Sequence, residues 1–176
     1  LYKCPHCLAE GKMRGEGEHL TCRACGKVWQ LTELGEMKAC EGDTEISHIP
    51  AWFDWQRECV RRELEEGTYA TETDVEVGML VNHKAIYMVG DGHLSHTKEG
   101  FLLTGCDGKL EYHQKPLSSY SVCADYYWYE IGDVVCIGNL DALYFCFPKN
   151  EKVNVTKVRF AAEELYKIAI KNKRNS

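Results

Sequence analysis

Cys4-Pro5-His6-Cys7 and Cys22-Arg23-Ala24-Cys25 are two Cys-x-x-Cys pairs separated by fourteen residues. Two tight turns at that separation aim four thiolates at one point, which is what a tetrahedral structural metal shell requires. The spacing predicts a zinc ribbon in which Cys4, Cys7, Cys22 and Cys25 hold a structural Zn2+ ion. Gly26, directly after the second pair, is free to take positive φ and lets backbone amides turn toward the sulfurs, while Pro5 stiffens the first turn. A single Cys-x-x-Cys would serve equally as a redox dithiol, but two at ribbon spacing favour the metal. His6 and His19 lie close enough in sequence to replace a cysteine, although four thiolates already close the shell. A closed shell leaves no position for water, so the ion is expected to hold structure without catalysing anything. A ribbon of about forty residues buries too little apolar surface to fold alone, and metal binding would supply the difference.

The remainder has the composition of a globular chain: 176 residues, 44% hydrophobic and 27% charged, with room for one ordinary domain beside the ribbon. No apolar run approaches the roughly eighteen residues of a membrane-spanning helix, and no signal peptide is visible. The expected location is cytoplasmic, at most peripheral to the cytoplasmic face of a membrane. Of the ten cysteines, the six outside the pairs (Cys40, Cys59, Cys106, Cys123, Cys136, Cys146) fall at uneven spacings and read as reduced, mostly buried thiols. The chain opens on Leu1, which leads to the expectation of a piece cut from a longer protein. Acidity is concentrated in residues 41–76, with eleven acidic and three basic side chains. In the ribbon, Lys3, Lys12, Arg14, Arg23 and Lys27 are balanced by Glu10, Glu16 and Glu18, so the basic stripe of a nucleic-acid partner is not expected.

The patterning divides the chain into three regions: a ribbon over 1–40, an acidic linker and amphipathic helix over 41–70, and a β domain over 71–176. The linker itself is placed at 36–48. The helix is predicted from Ser47 to Gly67, with Pro50 near its first position and an apolar face of Trp52, Phe53, Trp55, Gln56, Cys59, Val60 and Leu64. That stripe either packs the ribbon against the β domain or leaves Trp52 and Trp55 exposed as a contact surface. From Thr71 the period changes to two, with Val75, Val77, Met79 and Val81 alternating. Turn signals recur at Asn82-His83, Gly90-Asp91-Gly92, Gly100, Gly105 to Gly108, Pro116 and Gly132-Asp133. Short strands are expected at 85–89, 93–97, 101–104, 110–113, 120–130, 134–137 and 143–147, in an antiparallel barrel or sandwich. A C-terminal helix from Thr156 to about Lys171 presents Val158, Ala161, Ala162, Leu165, Tyr166, Ala169 and Ile170 on one face. The fold class is therefore mainly β: a small Cys4 ribbon, a linking helix, and an antiparallel domain closed by a helix.

Seven or eight strands followed by one amphipathic helix resemble the order of a pleckstrin-homology-like barrel, and Gly92 to Leu103 resembles the strand, turn and strand of GRAM domains. Over nearly the whole chain, Cys4-Pro5-His6-Cys7, Leu20 to Lys27, Ile49-Pro50-Ala51-Trp52 and Tyr144 to Lys149 are similar to the C-terminal extension that some Firmicutes proteins carry after a 1-acyl-glycerol-3-phosphate acyltransferase domain. The resemblance implies a bacterial parent that acylates lysophosphatidate in phospholipid synthesis, with this piece as its accessory tail and the upstream domain as its partner.

The catalytic signature of that chemistry is His-x4-Asp, in which the histidine acts as base and the aspartate orients it. None of the seven histidines has an aspartate five residues on; His48 misses Asp54 by one position. The segment is accordingly expected to be non-catalytic. Cys106, Cys123, His93, His96, His113 and Asp125 sit in no recognisable catalytic pattern. His93 and His96 flank a predicted turn where a second metal or plain solvation are both conceivable, and Tyr126-Tyr127-Trp128-Tyr129 could line a groove or alternate between core and surface. Two functional classes stand side by side. One is a regulatory, membrane-surface module whose contacts with anionic headgroups would come from Trp52, Trp55, Lys149, Lys152, Lys157, Arg159, Lys171, Lys173 and Arg174. The other is a protein-interaction adaptor with no lipid role.

Overall fold

A computed structural model describes residues 1–81, 84–128, 130–150 and 153–175. The chain divides into two compact units, 1–59 and 60–176. The expected turn at Asn82-His83 lies outside the described residues.

The first unit is a four-stranded antiparallel meander: β1 (Met13–Glu16), β2 (His19–Cys22), β3 (Val28–Leu31) and β4 (Met37–Ala39), hydrogen-bonded in that order. β4 places a strand at the start of the stretch expected to be a linker, 36–48. Met37 and Ala39 alternate with Lys38 and are buried against Trp29 and Trp52, so period-two burial makes a strand of a stretch with few large apolar residues. The meander alone has one short apolar face. The helix α1 (Ile49–Glu65) covers it with Trp52, whose ring meets Trp29 edge-on at 5.3 Å between centroids. The boundary between the two units falls within α1, after Cys59.

The second unit holds a seven-stranded antiparallel sheet: β5 (Thr71–Val81), β6 (Ala85–Thr97), β7 (Gly100–Gly105), β8 (Leu110–Gln114), β9 (Cys123–Trp128), β10 (Gly132–Gly138) and β11 (Leu143–Pro148), followed by α2 (Val155–Arg174). Its spatial order is β8-β7-β6-β5-β11-β10-β9, so two meanders meet where β11 pairs with β5. β8 and β9 are the two edges and are not paired with each other among the described residues. The sheet is therefore open and sandwich-like, not a closed barrel. It curls instead: Val75, Val77, Leu94, Phe101 and Leu103 from one half share a core with Val135, Ile137, Tyr144 and Cys146 from the other and with Val155, Val158 and Ala162 of α2. On the opposite face Val134, Cys136, Phe145 and Phe147 form a smaller cluster, with Trp128 stacked on Phe145.

Two expected strands, 85–89 and 93–97, are one. Gly90-Asp91-Gly92 continues β6 through a register shift at Val77/Gly78 and makes no turn. A Cβ on Gly92 would lie 2.7 Å from the Thr104 carbonyl, so the glycine serves the close approach of β7. α2 begins one residue before the predicted start because Asn154 caps it, its Oδ1 accepting the Thr156 and Lys157 amides at 3.1 and 3.2 Å. Lys171, Lys173 and Arg174 occupy its last turn, where cations oppose the helix dipole.

Candidate metal centre

The two knuckles are built alike. In the first, the Cys4 amide donates to the Ala9 carbonyl and Leu8 closes back on Cys4, both at 3.0 Å. In the second, the Cys22 amide donates to the Lys27 carbonyl at 2.9 Å, and the Gly26 amide to the Cys22 carbonyl at 2.8 Å, with Gly26 at φ 76°. Folding back in this way turns the amides of His6 and Cys7 onto the Cys4 sulfur, and those of Ala24 and Cys25 onto the Cys22 sulfur. In each knuckle the first cysteine is buried and the second exposed. The β1–β2 hairpin joins the knuckles, and the four sulfurs come within 4.8 Å of one another, with Cys4 to Cys25 at 3.9 Å and Cys7 to Cys22 at 3.7 Å. This set could hold a metal ion.

The sulfurs do not titrate independently. Burial pushes the Cys4 thiol up to about 12 against the pull of the Cys7 and His6 amides. At Cys22 burial also acts upward, but the Cys25 and Ala24 amides and the neighbouring thiols outweigh it and draw the group down to about 7. Negative charge on one sulfur is thus favoured locally and a second charge is resisted, a field that a cation at the centre would relieve.

Glu45 is the side chain that sequence reasoning passed over. Its Oε1 lies 2.8 Å from His6 Nδ1 and accepts from Lys27 Nζ at 2.7 Å, while Oε2 accepts from Trp29 Nε1 at 3.2 Å. One carboxylate thereby links His6 of the first knuckle, Lys27 just beyond the second, and the core Trp29. Burial raises its pKa, and the Lys27 ammonium, its own amide and His6 more than offset this, so the carboxyl is held below its usual range. Only the acidic run in 41–76 hinted at it. Behind the knuckles, Gln56 Oε1 accepts the Tyr2 and Lys3 amides at 2.6 and 3.0 Å, and Trp52 Nε1 donates to the Lys3 carbonyl at 3.3 Å. His6 faces Glu45 and His19 lies on β2 opposite Gln30, so among the described residues the cluster contains cysteines alone.

The proposed contact residues are scattered. Trp52 is fully buried and offers no surface to a bilayer or partner, and Trp55 is half-buried against the same core. Lys149 pairs with Asp91 at 2.6 Å, Lys157 with Glu63 at 2.8 Å, and Arg159 Nε lies 3.9 Å from Glu163. Lys152 lies outside the described residues. Lys171, Lys173 and Arg174 are exposed.

The other candidates do not assemble into one site. His93 pairs with Asp74 and His113 with Glu111. His96 is buried between Tyr69 and Phe101. Tyr126 and Tyr127 are exposed while Trp128 packs inward; Tyr129 lies outside the described residues. No family model, curated protein or solved structure matches the chain.

Proposed function

We propose that the four cysteines hold a structural Zn2+ ion and that the chain is a non-catalytic accessory region, serving an acyltransferase of phospholipid synthesis carried upstream. The sulfur separations carry the metal assignment. A tetrahedron with Zn–S bonds of about 2.3 Å has edges of about 3.8 Å; Cys7 to Cys22 and Cys4 to Cys25 stand at 3.7 and 3.9 Å, and all four sulfurs lie within 4.8 Å of one another. A Cys4 shell has no open position, so the ion stabilises the ribbon and activates no water. The accessory role rests on the sequence motifs and on the lack of His-x4-Asp in the 176 residues.

Within this proposal the anionic membrane surface is met by Lys171, Lys173 and Arg174, which project from the exposed last turn of α2. Each basic side chain near an anionic leaflet contributes about 1 kcal/mol, and screening by salt removes most of it. Co-sedimentation with phosphatidylserine-containing vesicles tests this. Binding that rises with anionic lipid, falls with salt and is lost in the triple Lys171→Ala, Lys173→Ala, Arg174→Ala variant supports the membrane role. No binding at low salt overturns it and favours the protein-adaptor alternative. Elemental analysis of the purified chain tests the ion separately.

A further inference from the structure

Cys123 and Cys136 are directly opposed across the β9–β10 ladder. Residues opposed in this way project to the same face of the sheet, with Cβ atoms about 4.5–5.5 Å apart. Their thiols are neighbours across the ladder, and neither is in a disulfide. The two differ in one respect that matters chemically: Cys123 is exposed and Cys136 is buried against Phe145 and Val134. Both line a cavity of about 310 Å³ with Ser119, Ser121, Gly138 and Leu143. The exposed Cys123 is part of its lining, so a small solute can reach the pair.

We propose that Cys123 and Cys136 are a site of reversible oxidation, closing to a cross-strand disulfide on reaction with a hydroperoxide. The exposed Cys123 thiolate attacks one peroxide oxygen; the O–O bond breaks, and the departing oxygen takes up a proton and leaves as water from hydrogen peroxide or as the alcohol from an organic hydroperoxide. Cys123 becomes a sulfenic acid. The buried Cys136 thiol then attacks that sulfur, its proton leaves with the displaced hydroxide as water, and the S–S bond forms. Two electrons pass from the two thiols to one peroxide, and two thiols of a reductant reverse the step.

The roles follow from position. Burial pushes the Cys136 thiol well up, keeping it protonated and unreactive toward solvent oxidants, so it acts only on a sulfur already beside it. A disulfide needs Cβ atoms about 3.5–4.5 Å apart, so closure must draw β9 toward β10 by about 1 Å. β9 can yield because it is an edge strand and its ladder with β10 already shifts register between Gly132 and Val134. A bridge formed under that tension is readily reduced again. Cys146, by contrast, belongs to the core on the opposite side of the sheet.

The test is titration of the full zinc-loaded chain with hydrogen peroxide, followed by alkylation and peptide mapping. The expected result is loss of two hydrogens from the intact mass and a linked peptide pair containing Cys123 and Cys136. It should appear at peroxide concentrations that release no zinc and disappear with dithiothreitol. Cys136→Ala should leave Cys123 as a sulfenic acid trapped by dimedone, and Cys123→Ser should leave Cys136 reduced. The proposal is overturned if the wild-type chain loses zinc first, links other cysteines first, or carries Cys123 to sulfinic acid with Cys136 still free.

Discussion

His96 lies flat on Phe101, with ring centroids 3.7 Å apart and planes within 3°, and its Nδ1 is 2.9 Å from the Tyr69 hydroxyl. The imidazole is 2% exposed, and burial lowers its pKa to about 3. In the unfolded chain a histidine protonates near pH 6.5. Between pH 6.5 and 3 the unfolded state therefore binds the extra proton, and stability falls as pH falls through that window, by roughly 1.4 kcal/mol per unit at most. Urea midpoints at pH 7 and pH 5 should differ for the wild type, and His96→Phe should remove much of the difference. An unchanged slope in the variant would assign acid sensitivity elsewhere.

On the proposed zinc assignment, the ribbon should depend on the ion. Cys22→Ser removes the sulfur drawn down to about 7 and with it one of four ligands; the expected outcome is loss of bound zinc and of ordered structure in residues 1–59. Hydrogen exchange should show protection lost there and kept in the β5–β11 sheet, because the two units have separate cores. Loss of zinc with full protection of 1–59 would show that the ribbon folds on apolar packing alone.

Trp52→Ala deletes the largest side chain covering the meander, and truncations of this kind cost about 3–5 kcal/mol. The expected result is weaker zinc retention against a chelator, since the folding free energy of the ribbon and its metal affinity are linked. Vesicle binding, if it occurs through α2, should be unchanged by this substitution.

Asn154→Ala should destabilise the second unit by about 1 kcal/mol, the usual worth of an N-cap, whereas Asn154→Asp should restore most of it. Thermal melts of both variants decide whether the two amide contacts at the α2 start carry that energy.

The spacing of the ribbon cysteines, both helices and the antiparallel β character of the second unit were legible because each rests on local periodicity or fixed spacing. What escaped depends on neighbours far away in sequence. β4 exists because Met37 and Ala39 find Trp29 and Trp52, and no window around residue 38 contains those rings. Trp52 and Trp55 look equivalent on a helical face, yet only contact with the meander distinguishes the buried one from the half-buried one. Gly90 and Gly92 carry the composition of a turn, but the reason for at least Gly92 is the backbone of β7 pressed against β6. Glu45 was one acid among eleven until the fold brought His6, Lys27 and Trp29 around it.

The knuckles place Cys4 and Cys22 inside and Cys7 and Cys25 at the surface. An incoming thiol or chelator therefore meets half of the shell first, while the other half stays anchored in the tryptophan core. For an ion held there as proposed, affinity would be the joint property of four sulfurs, while exchange would begin at the two that face water. Such a centre can bind tightly at equilibrium and still hand its ion over quickly, by stepwise exchange and without the ribbon coming apart.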